Sequence, residues 1–192
     1  TWSFEKVATS LTMASKSTTV KVGASKKLTA TISPSNVATK TLQWSSSNSS
    51  IAKVSASGVI TGVKTGSVTI TAKTTDGSNK TATCKVVVTL PYTDVNTSDW
   101  YYSAVEFVHN NSYMSGTTQN KVFSPNDKLT RGMLVTILYR MDGMPYVSGT
   151  SKFPDVQDTS QYYYSAVKWA TKNGIVSGYK NGKFGPNDPI TR

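Results

Sequence analysis

Three arginines occur in this chain of 192 residues, and two of them close nearly the same nine letters: FSPNDKLTR, from Phe123 to Arg131, and FGPNDPITR, from Phe184 to Arg192. A guanidinium is a planar, permanently charged fork that grips a carboxylate or phosphate through two parallel hydrogen bonds. Where a loop turns into a helix, that fork stands beside the backbone N–H groups that helix starts leave free. Arg131 and Arg192 therefore read as anion-binding residues. A cation at this end opposes the helix dipole, which argues against helix stability as the reason for it. The competing reading is a surface or inter-repeat ion pair to Asp127 or Asp188.

Other chemistry finds little support. His109 is the single histidine, its counterpart in the second copy of the repeat is Thr171, and no acid is placed to partner it, so it reads as a solvated helix residue. Asp94 and Asp155 recur in a repeated DV but lack the spacing of a carboxylate pair. Cys84, the lone cysteine, excludes an internal disulfide and a cysteine-based zinc site, and reads as a small buried hydrophobe. There is no glycine-rich phosphate loop and no metal-ligand cluster. No catalytic residue, cofactor or metal is expected.

The elements that must position the arginines repeat as well. Tyr92 to Gly116 aligns with Phe153 to Gly178, one residue being added before the second aromatic run. A supersecondary unit used twice and stacked on itself accounts for this. Tyr101, Ala104, Val105 and Val108 have helical spacing, as do Tyr163, Ala166, Val167 and Ala170. Asp99 is placed to cap the first of these helices, Ser160 or Gln161 stands at the start of the second, and Gly174 suits its end. A further helix follows the arginine word, with Thr130 as N-cap and Leu134, Ile137, Leu138 and Met141 on one face.

Residues 18–89 read differently. Val68, Ile70 and Ala72 alternate with Thr69, Thr71 and Lys73, and Cys84, Val86 and Val88 alternate with Lys85 and Val87. Period two, β-branched enrichment and Gly, Asn and Ser punctuation predict about seven short strands in an antiparallel sandwich of immunoglobulin type, with Trp44 in its core. Charge divides along the same line. Residues 1–90 hold eleven lysines, no arginine and two acids, Glu5 and Asp76, a net +9, whereas residues 91–192 hold ten basic and eight acidic residues, a net +2. A lysine-studded surface attracts polyanions in general. This half is poor in aromatics, which argues against nucleic acid, and no run is long enough to span a bilayer, so membrane insertion is not expected. The first residues lack the regions of a signal peptide, as expected of a mature segment or fragment.

The words VKVG, LTATISPSN and WSSSNSSIAKVSASGVITGVKTGSVTITA resemble the group 2 bacterial immunoglobulin-like family across residues 11–89. That family supplies spacer and adhesion modules on bacterial surfaces, with no shared catalytic residues. The words WYYSAVEFV, MSGTTQNKVFSPNDKLTR and YYYSAVKWATKNGIVSGYKNGKFGPNDPITR resemble S-layer homology repeats across residues 91–192. Two departures stand out: Gly132 and Met133 occupy the places where that family usually has Ala and Glu, so the capping box on Thr130 is lost, and only about one and two-thirds repeats are present where the family generally uses three. The implied organisation is an N-terminal extension (1–10), a β-sandwich (11–89), one repeat (91–145) and an incomplete second repeat (152–192), a multidomain chain of all-β sandwich followed by mainly helical repeats.

The second resemblance implies grooves that bind secondary cell-wall polysaccharide, often at a pyruvylated sugar whose carboxylate meets the motif arginine. The candidate glycan-binding residues are Arg131, Arg192, Trp100, Ser115, Gly116, Ser177, Gly178 and Tyr179. Trp100 and Phe107, with counterparts Tyr162 and Trp169, could instead pack within or between repeats, and the two Ser-Gly pairs could simply turn the chain. The expected function is noncovalent anchoring of an extracellular protein to the bacterial cell wall. The alternatives are a self-assembling surface-layer or filament subunit completed by a neighbouring copy, and the wall-targeting end of an extracellular hydrolase.

Overall fold

A computed structural model describes residues 5–117 and 121–190, which fall into two compact units divided after Thr93. The first holds nine strands: β1 (Ser10–Met13), β2 (Ser17–Lys21), β3 (Ser25–Lys27), β4 (Ala30–Ser33), β5 (Leu42–Ser46), β6 (Ala52–Val54), β7 (Val59–Gly62), β8 (Gly66–Thr74) and β9 (Thr81–Thr89). They form a four-stranded sheet ordered β2-β9-β8-β5, a three-stranded sheet ordered β3-β7-β6 and the pair β1-β4. The sandwich expected from the alternation is thus present. It has nine short strands rather than seven, and β2 runs parallel to β9 where an antiparallel arrangement was expected.

Alternation decides which side chains are buried. Val68, Ile70 and Ala72 of β8 face inward against Cys84, Val86 and Val88 of β9, and Leu11, Met13, Val20, Leu28, Ala52 and Ile60 close the core. Cys84 is fully buried, as its composition suggested, and burial pushes its thiol pKa up. Trp44 packs against this core at its edge. Gly58 adopts a left-handed φ of +78° beneath that indole, and a Cβ built there would stand 2.8 Å from its ring.

The second unit holds α1 (Tyr102–Asn110), α2 (Arg131–Met141) and α3 (Tyr164–Lys172). Its core is uneven. Tyr164, Ala166, Val167, Trp169 and Ala170 of α3 are buried, but Val105 alone is buried in α1, although both helices carry the same apolar spacing. The cause is packing: α2 lies against α3, and among the described residues no helix covers α1 in that way. Phe153, Val156 and Phe184 join α3 and Val135 in the core.

Several local expectations are corrected. Asp99 does not cap α1; its carboxylate accepts from the Asn96 N–H at 2.7 Å, and Tyr101 stands at the cap position with no side-chain bond to the helix start. Neither Ser160 nor Gln161 caps α3, both side chains bonding Asp158 instead. The buried face of α2 is Gly132, Val135 and Thr136, while Leu134 and Met141 are exposed. The Thr136 hydroxyl donates to the Gly132 carbonyl at 2.7 Å, which lets this polar residue take an inward place. His109 is half-buried rather than solvated, and burial lowers its pKa.

Replacing Gly58 with alanine combines the positive φ with contact against Trp44. Gly58→Ala should lower the unfolding free energy by roughly 1–3 kcal/mol, read by urea titration of Trp44 fluorescence in residues 1–93.

Candidate functional site

The site is built around the two nine-residue words, and each is held in shape by the aspartate of its DV. Asp94 accepts the backbone N–H groups of Phe123 (2.8 Å) and Ser124 (2.7 Å); Asp155 accepts those of Phe184 (2.9 Å) and Gly185 (2.8 Å). Burial raises the pKa of each carboxyl, but the paired N–H donors outweigh it, and both are held below the usual carboxylate value. Ser124 and Gly185 share a left-handed backbone, with φ of 59° and 69°. Each word then turns through a matching bond, Asp127 N–H to the Ser124 carbonyl and Asp188 N–H to the Gly185 carbonyl, both at 3.1 Å. The spacing from Asp to Phe is 29 residues in both copies, a signal present in the sequence that carboxylate pairing does not register.

The words also bind each other. Thr130 bridges to Pro189, and the Ile190 N–H donates to the Leu129 carbonyl at 2.8 Å. This pairing brings the start of α2 onto the second word. Arg131 N–H donates to the Asp188 carbonyl (2.9 Å), Gly132 N–H to the Pro186 carbonyl (2.8 Å), and Met133 N–H to the Thr130 hydroxyl (3.3 Å). Thr130 is therefore the N-cap, as its type suggested. The free N–H groups expected beside Arg131 are all engaged, which corrects the helix-start half of the anion-site reading. Gly132 follows from the same contact, because a Cβ there would lie 2.9 Å from the Pro186 carbonyl oxygen and 3.1 Å from the Tyr163 ring.

Arg131 itself is half-buried. Its Nε donates to the Phe184 carbonyl and its Nη2 to the Ser177 carbonyl, each at 2.9 Å. The guanidinium carbon stands 4.8 Å from the Tyr179 ring centre and 4.6 Å from that of Phe184. Its partners are carbonyls, not the carboxylates of Asp127 or Asp188, so the ion pair considered from sequence is not what holds it. One edge of the fork ties α2 to the second repeat. Among the described residues Nη1 has no protein partner, and the residue lines a groove of about 360 Å³ with Leu134, Val135, Val176, Tyr179 and Ile190. The Tyr179 hydroxyl bonds the Asp188 carboxylate, which together with burial holds the phenol above its usual pKa.

Of the residues singled out in sequence, Arg131, Ser177 and Tyr179 come together. Gly178 stands against Phe153, where a Cβ would approach the ring to 2.5 Å, so its role is packing. Ser115 and Gly116 line a second groove of about 460 Å³ with Phe123, Ile137, Arg140 and Tyr162. Trp100 is 93% exposed, stacks edge-on with Tyr101 and lines neither groove. Phe107 is exposed, whereas its counterpart Trp169 is buried, with its Nε1 donating to Asp142 at 3.0 Å. Arg192 lies outside the described residues. Leu134 and Arg140 do not stand out in the sequence, since nothing in their spacing separates a groove wall from a helix surface, whereas Tyr162 does as the counterpart of Trp100.

Comparison with known families decides the setting. Residues 7–86 match the bacterial Ig-like domain (group 2), and residues 91–132 and 152–192 match the S-layer homology domain. The chain is a group 2 bacterial Ig-like domain followed by S-layer homology repeats. Such repeats mediate anchoring to the cell wall, so this is an anchoring segment associated with a bacterial cell surface. Curated relatives include an endoglucanase of Bacillus sp. (strain KSM-635), 31% identical over 53% of this chain and 10% of its own length. An alpha-L-arabinofuranosidase of Bifidobacterium longum is 54% identical over 29% of this chain and 5% of its own, and an amylopullulanase of Thermoanaerobacterium thermosulfurigenes is 32% identical over 53% and 6%. The matched part of this chain thus spans a tenth or less of each of these enzymes. Among solved structures, domains 4 and 5 of the S-layer protein SbsC are 26% identical over 43% of this chain and 52% of that one, with a TM-score of 0.36.

The aspartate clasps carry a pH dependence. Their folded pKa values are depressed, so their contribution is fully present above the unfolded value of about 3.9 and is lost as pH falls through the folded value. Asp155→Asn should melt earlier than the parent at pH 7, and the gap should narrow below about pH 4, where the parent's carboxyl is protonated too. Thermal unfolding followed by Trp169 fluorescence across pH 2–8 measures it.

Proposed function

We propose that the S-layer homology repeats hold an extracellular protein on the cell wall by gripping an anionic polysaccharide, with a pyruvylated sugar as the charged element, in the groove beside Arg131. The observation that carries this reading is the division of the guanidinium. The Nε–Nη2 edge is bound to the Phe184 and Ser177 carbonyls, while Nη1 has no protein partner among the described residues and the side chain lines a groove. A fork already held on one edge has lost its rotamer freedom before the ligand arrives, so a carboxylate meeting its far end is bound at small entropic cost. Tyr179, fixed through Asp188, offers an aromatic flank for the C–H face of a sugar. Arg192, which closes the second word, is assigned the same anion-binding role.

The Ig-like unit serves as a spacer or adhesion module, and the segment has no catalysis of its own. Whatever enzyme activity the intact protein has would reside beyond these domains, as the match to hydrolases over only their accessory lengths supports.

Two substitutions separate gripping from clamping. Leu134 is 37% exposed on the groove wall, so Leu134→Trp should fill the groove and reduce binding of a pyruvylated wall-sugar fragment by tenfold or more, with the melting temperature nearly unchanged. Arg131→Lys should lose both binding and stability, the latter by about 1.5–3 kcal/mol, because a point charge cannot bond Phe184 and Ser177 together. Titration calorimetry at a temperature where both variants remain folded reads the affinities. Parent-like binding by Leu134→Trp and by folded Arg131→Lys would remove the groove from the mechanism.

A further inference from the structure

The four-stranded sheet of the Ig-like unit has an outer face on which no carboxylate stands. Inward residues alternate with outward ones, so Lys73 of β8, Lys85 of β9 and Lys21 of β2 all project from that face, opposite the buried Ala72, Cys84, Val86 and Val20. The register aligns them. Lys73 pairs with Thr81 of β9, and Lys21 pairs with Thr89, so the three lysines occupy the levels of residues 81, 85 and 89 on three adjacent strands. Four residues along and one strand across separates successive Cα atoms by about 14 Å. The result is an evenly stepped diagonal of lysine Cα positions, set among the residues Ser17, Thr19, Thr69 and Thr83 on the same face.

Among the described residues of this unit, no carboxylate bonds any of the three lysines. The acids of this half are Glu5 and Asp76. The Asp76 carboxylate accepts the Ala8 N–H at 2.6 Å and the Ser78 N–H at 3.0 Å, with its pKa lowered to about 2, first through the Ser78 hydroxyl and then the Ala8 N–H. The Lys21 amine is steadied by the Tyr92 carbonyl at 2.9 Å and the Pro91 carbonyl at 3.5 Å, which leaves its charge in place.

We infer that this face binds an extended polyanion whose charges are phosphodiesters between short polyol units. Spacing favours it. A three-carbon polyol phosphodiester has six backbone bonds per repeat, twice the three of an amino-acid residue, and so extends about 7 Å per phosphate. Every second phosphate then meets a lysine. Lysine is a compact charge that meets a tetrahedral phosphate from any direction, and no arginine is available for planar bidentate recognition. The face lacks aromatic platforms on which bases could stack, Trp44 being turned inward opposite Ala72, which disfavours single-stranded nucleic acid. This surface belongs to the Ig-like unit, whereas the Arg131 groove belongs to the second unit.

The test uses the whole chain and poly(glycerol phosphate) as the probe, with binding followed against sodium chloride. The triple variant Lys21→Gln, Lys73→Gln, Lys85→Gln should bind about tenfold or more weaker and lose about two from the slope of log affinity against log salt. A control, Lys27→Gln, Lys53→Gln, Lys64→Gln, removes the same charge from the other sheet and its turn, and should change affinity by less than about threefold. Thermal unfolding checks that both triples are folded, and Lys85→Gln alone should shift affinity in the same direction by about twofold. Leu134→Trp should leave this binding as in the parent, which separates it from the polysaccharide groove. Equal losses in the two triples would overturn the stripe, and tighter binding to single-stranded DNA than to poly(glycerol phosphate) would overturn the partner.

Discussion

The start of α2 is the constraint on which the second unit depends. A helix N-terminus presents N–H groups that must find acceptors, and here the acceptors come from the other copy of the same nine-residue word. The carbonyls of Pro186 and Asp188 receive Gly132 and Arg131, while Phe184 and Ser177 receive the arginine side chain. The turn that carries the Phe184, Pro186 and Asp188 carbonyls is held by Asp155, which accepts the N–H groups of Phe184 and Gly185. Helix, turn and clasp therefore form one hydrogen-bonded unit with few spare donors or acceptors. The packing of α2 on α3, and with it the buried surface of Val135, Tyr164, Trp169 and Phe184, follows from that unit being closed.

Much of this was legible in residue order, and the failures have identifiable causes. Period two in β8 and β9 foretold both the sheet and its inward residues, because a half-buried strand has only one way to alternate. Thr130 was recognised as a cap because capping is local chemistry. Apolar spacing misjudged α2, where Leu134 and Met141 are exposed and Gly132 and Thr136 are buried. Closeness to a neighbouring backbone selected a residue without a side chain there, and no hydrophobicity pattern registers that. The aspartate clasps are not legible from carboxylate spacing, because their partners are backbone N–H groups 29 and 30 residues away. The parallel pairing of β2 with β9 was likewise out of reach, since it joins segments from opposite ends of the module.

The two copies also show how context divides one pattern into two outcomes. Trp169 is buried and bonded to Asp142, whereas Phe107, at the corresponding place, is exposed. Tyr162 lines a groove against α2, while Trp100 stands almost wholly in solvent. Sequence symmetry specifies the unit, and only the neighbour decides which of its faces are covered.

The pairing of β2 with β9 also bears on how the Ig-like unit carries force. The two strands run in the same direction, with Ser17 opposite Lys85 and Lys21 opposite Thr89. Tension that pulls β2 by its leading end and β9 by its trailing end slides the strands along each other, so the ladder bonds are loaded together rather than opened one after another from a corner. A module wired in this way resists stretching through its whole length of paired strand.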